Sequence, residues 1–294
     1  MSNAITRTIA ARLLPPRPQD GHKGSFGHVF VIAGSRGFSG AVRLACESAG
    51  RSGCGLVTAG VPASLADMAA ITLLESMSMA LPETPDHTIS SSAIESALTF
   101  AATKSAAVVG PGISTHPGTW AFVHGFVAQC APPLVVDADG LNIIAEDLAP
   151  LSDRETCTTI LTPHPGEMAR LARISSQEVQ ENRASIARQL ASATQAIVVL
   201  KGHETVVAHP DGTVAINTTG NHGMATGGTG DVLAGLLGGL LAQGMSAWDA
   251  ARLGVWLHGY AGDCAASQFT ARAMLARDLL ACIPHAFGAL ETVG

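Results

Sequence analysis

The sequence predicts an α/β sandwich around a mostly parallel sheet, and three observations predict it. Short runs of aliphatic and β-branched residues are apolar at every position, as strands are when helices cover both faces of a parallel sheet. Helix-length segments alternate with those runs, which calls for right-handed crossovers. The composition is 47% hydrophobic and 14% charged, with 32 glycines among 294 residues. That excludes a disordered chain and suits tight loops between strands and helices. The length admits one or two domains. With no linker, internal repeat or low-complexity stretch, one domain over residues 1–294 is expected.

In chain order, residues 14–24 (LPPRPQDGHKG) are loop, by their prolines and glycines. Strands are expected over 28–33, 56–61, 106–109, 134–136, 159–161 and 197–200, and helices over 40–51, 93–103, 118–129 and 175–194. Ser175 and Glu178 form a capping box that opens the last of these. Runs 204–209 and 213–217 flank Pro210-Asp211-Gly212 and read as a hairpin, after which the chain is helical. Residues 232–242 are the most apolar stretch. Eleven residues are too few for a bilayer, which needs roughly 17–25, so a buried helix is expected, with Gly235 and Gly239 admitting close packing. Ser246 and Asp249 form a second cap, opening a long helix through 266.

The net charge of −6 and pI near 6.0 speak against a nucleic-acid partner, which calls for a basic surface. They do not speak against a nucleotide held by backbone N–H groups. Cysteines 46, 54, 130, 157, 264 and 282 make neither C-x-x-C nor zinc spacing, so inert thiols are expected. Residues 1–11 carry no continuous apolar run, so no secretory leader is expected. The expectation is a cytoplasmic protein with no membrane role.

The strongest local signal is NHGMATGGTGD (221–231) directly before the apolar helix. Gly227, Gly228 and Gly230 let the backbone approach a ligand, and a helix N-terminus aims unpaired N–H groups and a positive dipole end at an anion. Asp231 has two readings: an ordinary helix cap, or a carboxylate that takes the proton of a hydroxyl attacking a phosphate bound there. The segment lacks the lysine of G-x-x-x-x-G-K-[ST] and the third glycine of G-x-G-x-x-G. Ala41 spoils the G-x-S-x-G match at 37–41, which excludes a serine hydrolase.

Ligands of open α/β sheets bind outside the carboxyl ends of strands, and four further segments sit there. Asp137 and Asp139 (DADG, 137–140) either close a turn or help hold a magnesium ion near a phosphate. In TPHPGE (162–167), two prolines stiffen the turn around His164 and Glu167 opens the next helix. His164 is either a structural hydrogen-bonder or a substrate contact. In KGHET (201–205), Lys201 can reach a phosphate, Gly202 permits close approach, Thr205 offers a hydroxyl, and His203 and Glu204 are expected to be exposed. The loop GSRGFSG (34–40) can clasp a second ligand. His258, inside the long helix, is expected to be core.

Taken together, HKGSFGHVFVIAGS (22–35), VVGPG (108–112), DADGLN, TPHPGE, KGHET, NHGMATGGTGD and LHG (257–259) resemble, in order, the ADP- or ATP-dependent NAD(P)H-hydrate dehydratase family of the ribokinase-like superfamily. The resemblance covers about residues 20–285. GTGD alone recurs in other ribokinase-like kinases, whereas TPHPGE, KGxxT and GGTGD in that order are specific. The resemblance implies a three-layer α/β/α sandwich in the form without a fused epimerase domain. It also implies an enzyme that phosphorylates the C6 hydroxyl of the S epimer of hydrated NADH or NADPH and eliminates phosphate. Carried over by motif, Asp231 would be the base, and Gly228, Thr229 and Gly230 would cradle the transferring phosphate. Gly230 and the loop Lys201, Gly202, His203, Glu204 and Thr205 would hold ADP or ATP; Mg2+ is expected from the phosphoryl chemistry and not from a ligand motif. Val42, Gly112, His164 and Asp231 would contact the hydrated dinucleotide, and Asn221 would orient the loop. The family position matching Val42 is often alanine. Free-standing bacterial forms generally use ADP, and a homotetramer is the implied assembly. The competing expectation is a kinase for a vitamin precursor such as a hydroxyethylthiazole or hydroxymethylpyrimidine.

Overall fold

The computed structural model describes residues 3–152, 154 and 158–292; Cys157 lies outside them. The strands are β1 (His28–Ile32), β2 (Leu56–Pro62), β3 (Met77–Leu81), β4 (Ala106–Val109), β5 (Leu134–Val136), β6 (Thr159–Leu161), β7 (Ile197–Leu200), β8 (Thr205–Ala208) and β9 (Val214–Asn217). The helices are α1 (Arg7–Arg12), α2 (Ser39–Arg51), α3 (Ala66–Thr72), α4 (Ile94–Ala101), α5 (Pro117–Gln129), α6 (Asp139–Ile144), α7 (Ala149–Ser152), α8 (Pro165–Ala172), α9 (Ser176–Glu181), α10 (Arg183–Thr194), α11 (Thr229–Ala242), α12 (Ala247–Ala273) and α13 (Ala276–Glu291).

Among the described residues the strands form one sheet in the order β3-β2-β1-β4-β5-β6-β7-β8-β9. Pairing is parallel from β3 to β7 and antiparallel across β7–β8 and β8–β9. Strand side chains alternate between two hydrophobic cores. Val29, Val31, Val108, Val135 and Ile160 enter the core shared with α2, α11, α12 and α13. Phe30, Ile32, Val109, Val136 and Leu161 enter the core shared with α4, α5, α6 and α10. This two-sided burial explains the unbroken apolar runs and produces the three-layer sandwich that the resemblance implies.

The hairpin over β8 and β9 is present, with Gly212 at φ +90° in its turn. Its outer strand is not bare: Ile5 N–H donates to Ile216 O at 2.8 Å and Ile216 N–H to Asn3 O at 2.8 Å. Both caps form, since Ser175 accepts from Glu178 N–H and Ser246 from Asp249 N–H.

The helix expected over 175–194 is two, because Asn182 (φ −130°, ψ 31°) leaves helical geometry between α9 and α10. Strand β3 and helices α1, α3, α6 and α7 were not expected. At the sheet margin β3 has only Leu81 fully buried, so it lacks an apolar run. The five described cysteines are free, and burial pushes the Cys54 and Cys130 thiols up to about 11.

α11 is wedged between sheet and helices. A Cβ on Gly235 would lie 2.0 Å from Ala45 O, one on Gly238 2.3 Å from Val108 Cγ2, and one on Gly239 2.0 Å from Ser52 Oγ. The expected role of Gly235 and Gly239 in close packing is therefore met. This contact fixes where the helix begins, and so where the site lies.

Candidate functional site

A cavity of ≈ 720 Å³ opens at the carboxyl ends of β5, β6 and β7. Its walls are the turn after β5, the start of α8, the loop 201–205, the segment 217–231 and one face of α12. Three sequence-distant motifs meet here because parallel strands deliver all their carboxyl ends to one side of the sheet.

The glycine-rich segment turns into α11 at Gly228, which is the N-cap in left-handed geometry (φ +93°). Asp231 is therefore not the cap; it is the third residue of the helix, and its side chain makes no capping bond. Thr229 Oγ1 donates to Met224 O and Thr226 O at 2.9 and 3.0 Å, closing the loop upon itself. Asn221 accepts from Gly223 N–H (2.9 Å) and donates to Gly262 O and Asp263 Oδ1 (both 3.0 Å), lashing the loop to α12. Glycines on α12 permit this: a Cβ on Gly259 would sit 2.2 Å from Thr219 Oγ1, and one on Gly262 2.4 Å from Met224 Sδ. The loop also presses Gly223 against Ala271, just past Thr270, which breaks α12 with φ +66° and ψ 150°.

Charges converge below the helix mouth. Lys201 Nζ is 2.7 Å from Asp137 Oδ1 and 3.8 Å from Glu167 Oε2. It also lies 3.3 Å from where a Cβ on Gly230 would stand. Thr162 Oγ1 donates to the same Asp137 Oδ1 at 2.6 Å. Asp137 is only 1% exposed, and its Oδ2 has no hydrogen-bond partner among the described residues. Burial alone would lower the Lys201 ammonium's pKa, but Asp137 and Glu167 outweigh it and the net shift is upward. Burial raises Glu167 to about 7. Burial, then the Asp137 charge, raise Asp231 to about 7 against the opposing pull of Lys201. One cation thus faces three carboxyl groups, two of which titrate near neutrality.

His164 is the N-cap of α8. Its Nδ1 accepts from Gly166 N–H (2.9 Å) and Glu167 N–H (3.3 Å), and Glu167 Oε2 accepts from His164 N–H (2.7 Å). Burial, then Lys201 and Arg170, lower the imidazole's pKa. Its half-exposed ring still lines the cavity, so the structural reading is met and the ring stays open to the cavity. The turn after β5 is strained at Ala138 (φ +51°, ψ −121°), the kind of backbone cost that concentrates at functional sites.

The structure therefore gathers Lys201, Gly202, His203, Glu204, Thr205, His164, Asn221, Gly228, Thr229, Gly230 and Asp231 around one cavity. It does not bring Val42 or Gly112 to the cavity wall. Val42 is buried, with its Cγ2 2.4 Å from where a Cβ on Gly34 would be, and Gly112 (φ +62°) is covered by Phe38 and Ala41. Asp139 is not on the wall either: its Oδ2 accepts from Ser114 N–H at 2.9 Å. The two carboxylates are engaged separately: Asp137 by Thr162 and Lys201, Asp139 by Ser114 and Asn142. His258, expected as core, is a wall residue whose Nε2 bonds Thr229 O at 2.9 Å. Burial lowers its pKa to about 4, so the imidazole is neutral and Nε2 is the donor. Glu167, expected to open α8, also lines the cavity, and no spacing rule links it to Lys201.

The family model for NAD(P)H-hydrate dehydratase matches residues 29–285. The chain is 46% identical over 287 residues to a bifunctional NAD(P)H-hydrate repair enzyme of Moorella thermoacetica, covering 98% of this chain and 54% of that protein. It spans about half the length of the first curated relatives it matches. It is 40% identical to an ADP-dependent (S)-NAD(P)H-hydrate dehydratase of Neisseria meningitidis, over 84% of this chain and 80% of that one. Among solved structures, the ADP/ATP-dependent NAD(P)H-hydrate dehydratase of Bacillus subtilis, co-crystallized with ATP/Mg2+, superposes with TM-score 0.81 at 29% identity, covering 98% of each chain.

Proposed function

The chain belongs to the NAD(P)H-hydrate dehydratase family, and from that premise we propose that it restores hydrated NADH and NADPH at the cost of ADP or ATP. The terminal phosphoryl group of the nucleotide passes to the C6 hydroxyl of the S epimer, whose proton goes to the enzyme. The ring nitrogen's lone pair then expels inorganic phosphate, and C5 loses a proton as the 5,6 double bond returns. ADP would leave as AMP, and ATP as ADP.

The observation that carries this reading is Asp231. Its carboxylate stands in the first turn of α11, on the wall of the cavity, with no hydrogen-bond partner among the described residues. A pKa near 7 is that of a general base matched to neutral conditions. The backbone N–H groups of Gly228, Thr229 and Gly230 would cradle the transferring phosphate, helped by the helix dipole. Lys201, through its charge, and the loop to Thr205 would hold the nucleotide, and His164 would meet the dinucleotide. Val42 and Gly112 would act from behind, bracing the loop 34–40.

The donor set fits Mg2+ in one respect. Asp137 Oδ2 is a buried carboxylate oxygen with no partner, 3.8 Å from where a Cβ on Gly230 would stand. Asp137 would hold the ion, directly or through water, and the ion would offset charge on the nucleotide phosphates. The reading also includes a cytoplasmic homo-oligomer, a tetramer by the family's habit, which light scattering would size. Among the described residues no helix is long and apolar enough to cross a membrane.

The test mixes the protein with hydrated NADH, Mg2+ and either ADP or ATP, and follows recovery of the reduced-nicotinamide absorbance. Recovery that requires a nucleotide supports the dehydratase and identifies the donor. A lasting phosphate ester on a thiazole or pyrimidine alcohol, with no recovery, would replace it with the precursor kinase. Asp231→Asn should lower kcat by about 10²–10⁴ and leave nucleotide binding in place; an unchanged kcat would remove Asp231 from the base role.

A further inference from the structure

The loop leaving β7 is held from behind by a residue outside the cavity. Arg183, the first residue of α10, donates through Nη2 to Leu200 O at 3.0 Å and to Lys201 O at 3.3 Å. Its Nη1 donates to Gln180 Oε1 at 3.1 Å, and its Nε is buried with no partner among the described residues. Burial lowers the guanidinium's pKa, while Glu204 counters it. The guanidinium also packs close against Gly202: a Cβ there would lie 3.1 Å from Nη1, 3.3 Å from Nη2 and 3.5 Å from Cζ. Gly202 has φ +134°, so both its conformation and its neighbour require glycine.

A trans peptide sets its N–H antiparallel to its C=O. The Leu200 carbonyl faces Arg183, and the N–H of that peptide, on Lys201, accordingly points the other way and donates to Pro163 O at 2.8 Å. The next peptide obeys the same geometry. With the Lys201 carbonyl on Arg183, the Gly202 N–H points away from the guanidinium, and Gly202 itself lines the cavity, which Arg183 does not. That N–H has no acceptor among the described residues.

We propose that Arg183 is a positioning residue that turns the Lys201–Gly202 peptide so that the Gly202 N–H donates to an acceptor atom of the bound adenine nucleotide. This rests on the nucleotide-dependent reading above. Arg183 touches neither nucleotide nor dinucleotide; it acts through one peptide plane. An arginine suits this place better than a lysine because one guanidinium reaches two successive carbonyls through Nη2 and still holds Gln180 through Nη1.

The experiment titrates ADP into wild type, Arg183→Met and Arg183→Lys by calorimetry without the dinucleotide, then measures KM for each substrate. In Arg183→Met the affinity for ADP should fall at least about tenfold and KM for ADP should rise in step, while KM for hydrated NADH should move less than about twofold. Arg183→Lys, which keeps one donor and the charge, should recover part of the loss and guards against a Met variant that fails to fold. Exchange of the Gly202 amide should slow on adding ADP to wild type and not in Arg183→Met. Equal ADP affinity in folded wild type and Arg183→Met, or a parallel rise in both KM values, would overturn the proposal alone. A wild type that binds no adenine nucleotide would overturn it together with the nucleotide-dependent reading.

Discussion

At the scale of single residues, the carboxylate on α11 makes opposite demands on activity and stability. With its pKa near 7, Asp231 is deprotonated and competent as a base above neutrality. Log kcat/KM should therefore fall by about one per pH unit below pH ~7, and a rate flat from pH 5 to 8 would contradict that role. For stability the sign runs the other way. Between the unfolded value of 3.8 and the folded value of about 7, the folded state holds a proton that the unfolded state has released. Stability falls as pH rises through that window, and the penalty is fully present above it. Asp231→Asn should thus unfold at higher denaturant than wild type at pH 8, by about 1–3 kcal/mol, and the gain should vanish below pH 4. Gly228, Gly230 and Asp231 were legible as residues of one site because the motif that brings them to the cavity wall is local. The Lys201–Asp137 pair was not, since it joins residues 64 apart in sequence and only the sheet brings them together. Glu167, His258 and Arg183 were hidden for the same reason: each meets its partner, Lys201, Thr229 O or the carbonyls of Leu200 and Lys201, across a separation that no sequence spacing names.

At the scale of elements, the beginning of α11 is only as well placed as its middle is packed. Alanine normally improves a helix interior over glycine by about 1 kcal/mol. At Gly235 the added methyl would lie 2.0 Å from a backbone carbonyl of α2, which cannot swing aside as a side chain can. Overpacking should win, and Gly235→Ala should lose about 1–3 kcal/mol by urea unfolding, with activity falling as the helix mouth shifts. The kink in α12 gives the converse case. Thr270 occupies a conformation that favours glycine, so Thr270→Gly should preserve the kink and raise stability by about 1 kcal/mol. Elements buried on both sides announced themselves as apolar runs, and the caps at Ser175 and Ser246 marked two helix starts. Strand β3 stayed hidden because its exposed margin removes the apolar run, and Asn182 gave no warning that it would divide α9 from α10.

At the scale of the molecule, the cavity is walled by segments from both halves of the chain. A nucleotide seated there touches parts that separate on unfolding. ADP at 100 times its Kd should add about 2.7 kcal/mol, visible as a rise in Tm, and Asp231→Asn should keep that rise. A Tm indifferent to saturating ADP would mean that the nucleotide seat is misassigned. The architecture was the most legible feature of all, because strands covered on both faces leave a compositional signature at every strand position. The relation between faces was not, since no residue states which loop will overhang which strand.

The parallel rung that Asn3 and Ile5 add along β9 has a bearing on how the protein behaves in a test tube. An uncovered outer strand offers free N–H and C=O groups to any passing strand. Here the chain supplies its own stopper, and Ile5 is pinned in the core while it does so. Trimming the first six residues would leave the cavity intact yet unmask a sticky margin on the far side of the hairpin. Clumping at high concentration, with turnover per folded molecule unchanged, is the behaviour to look for.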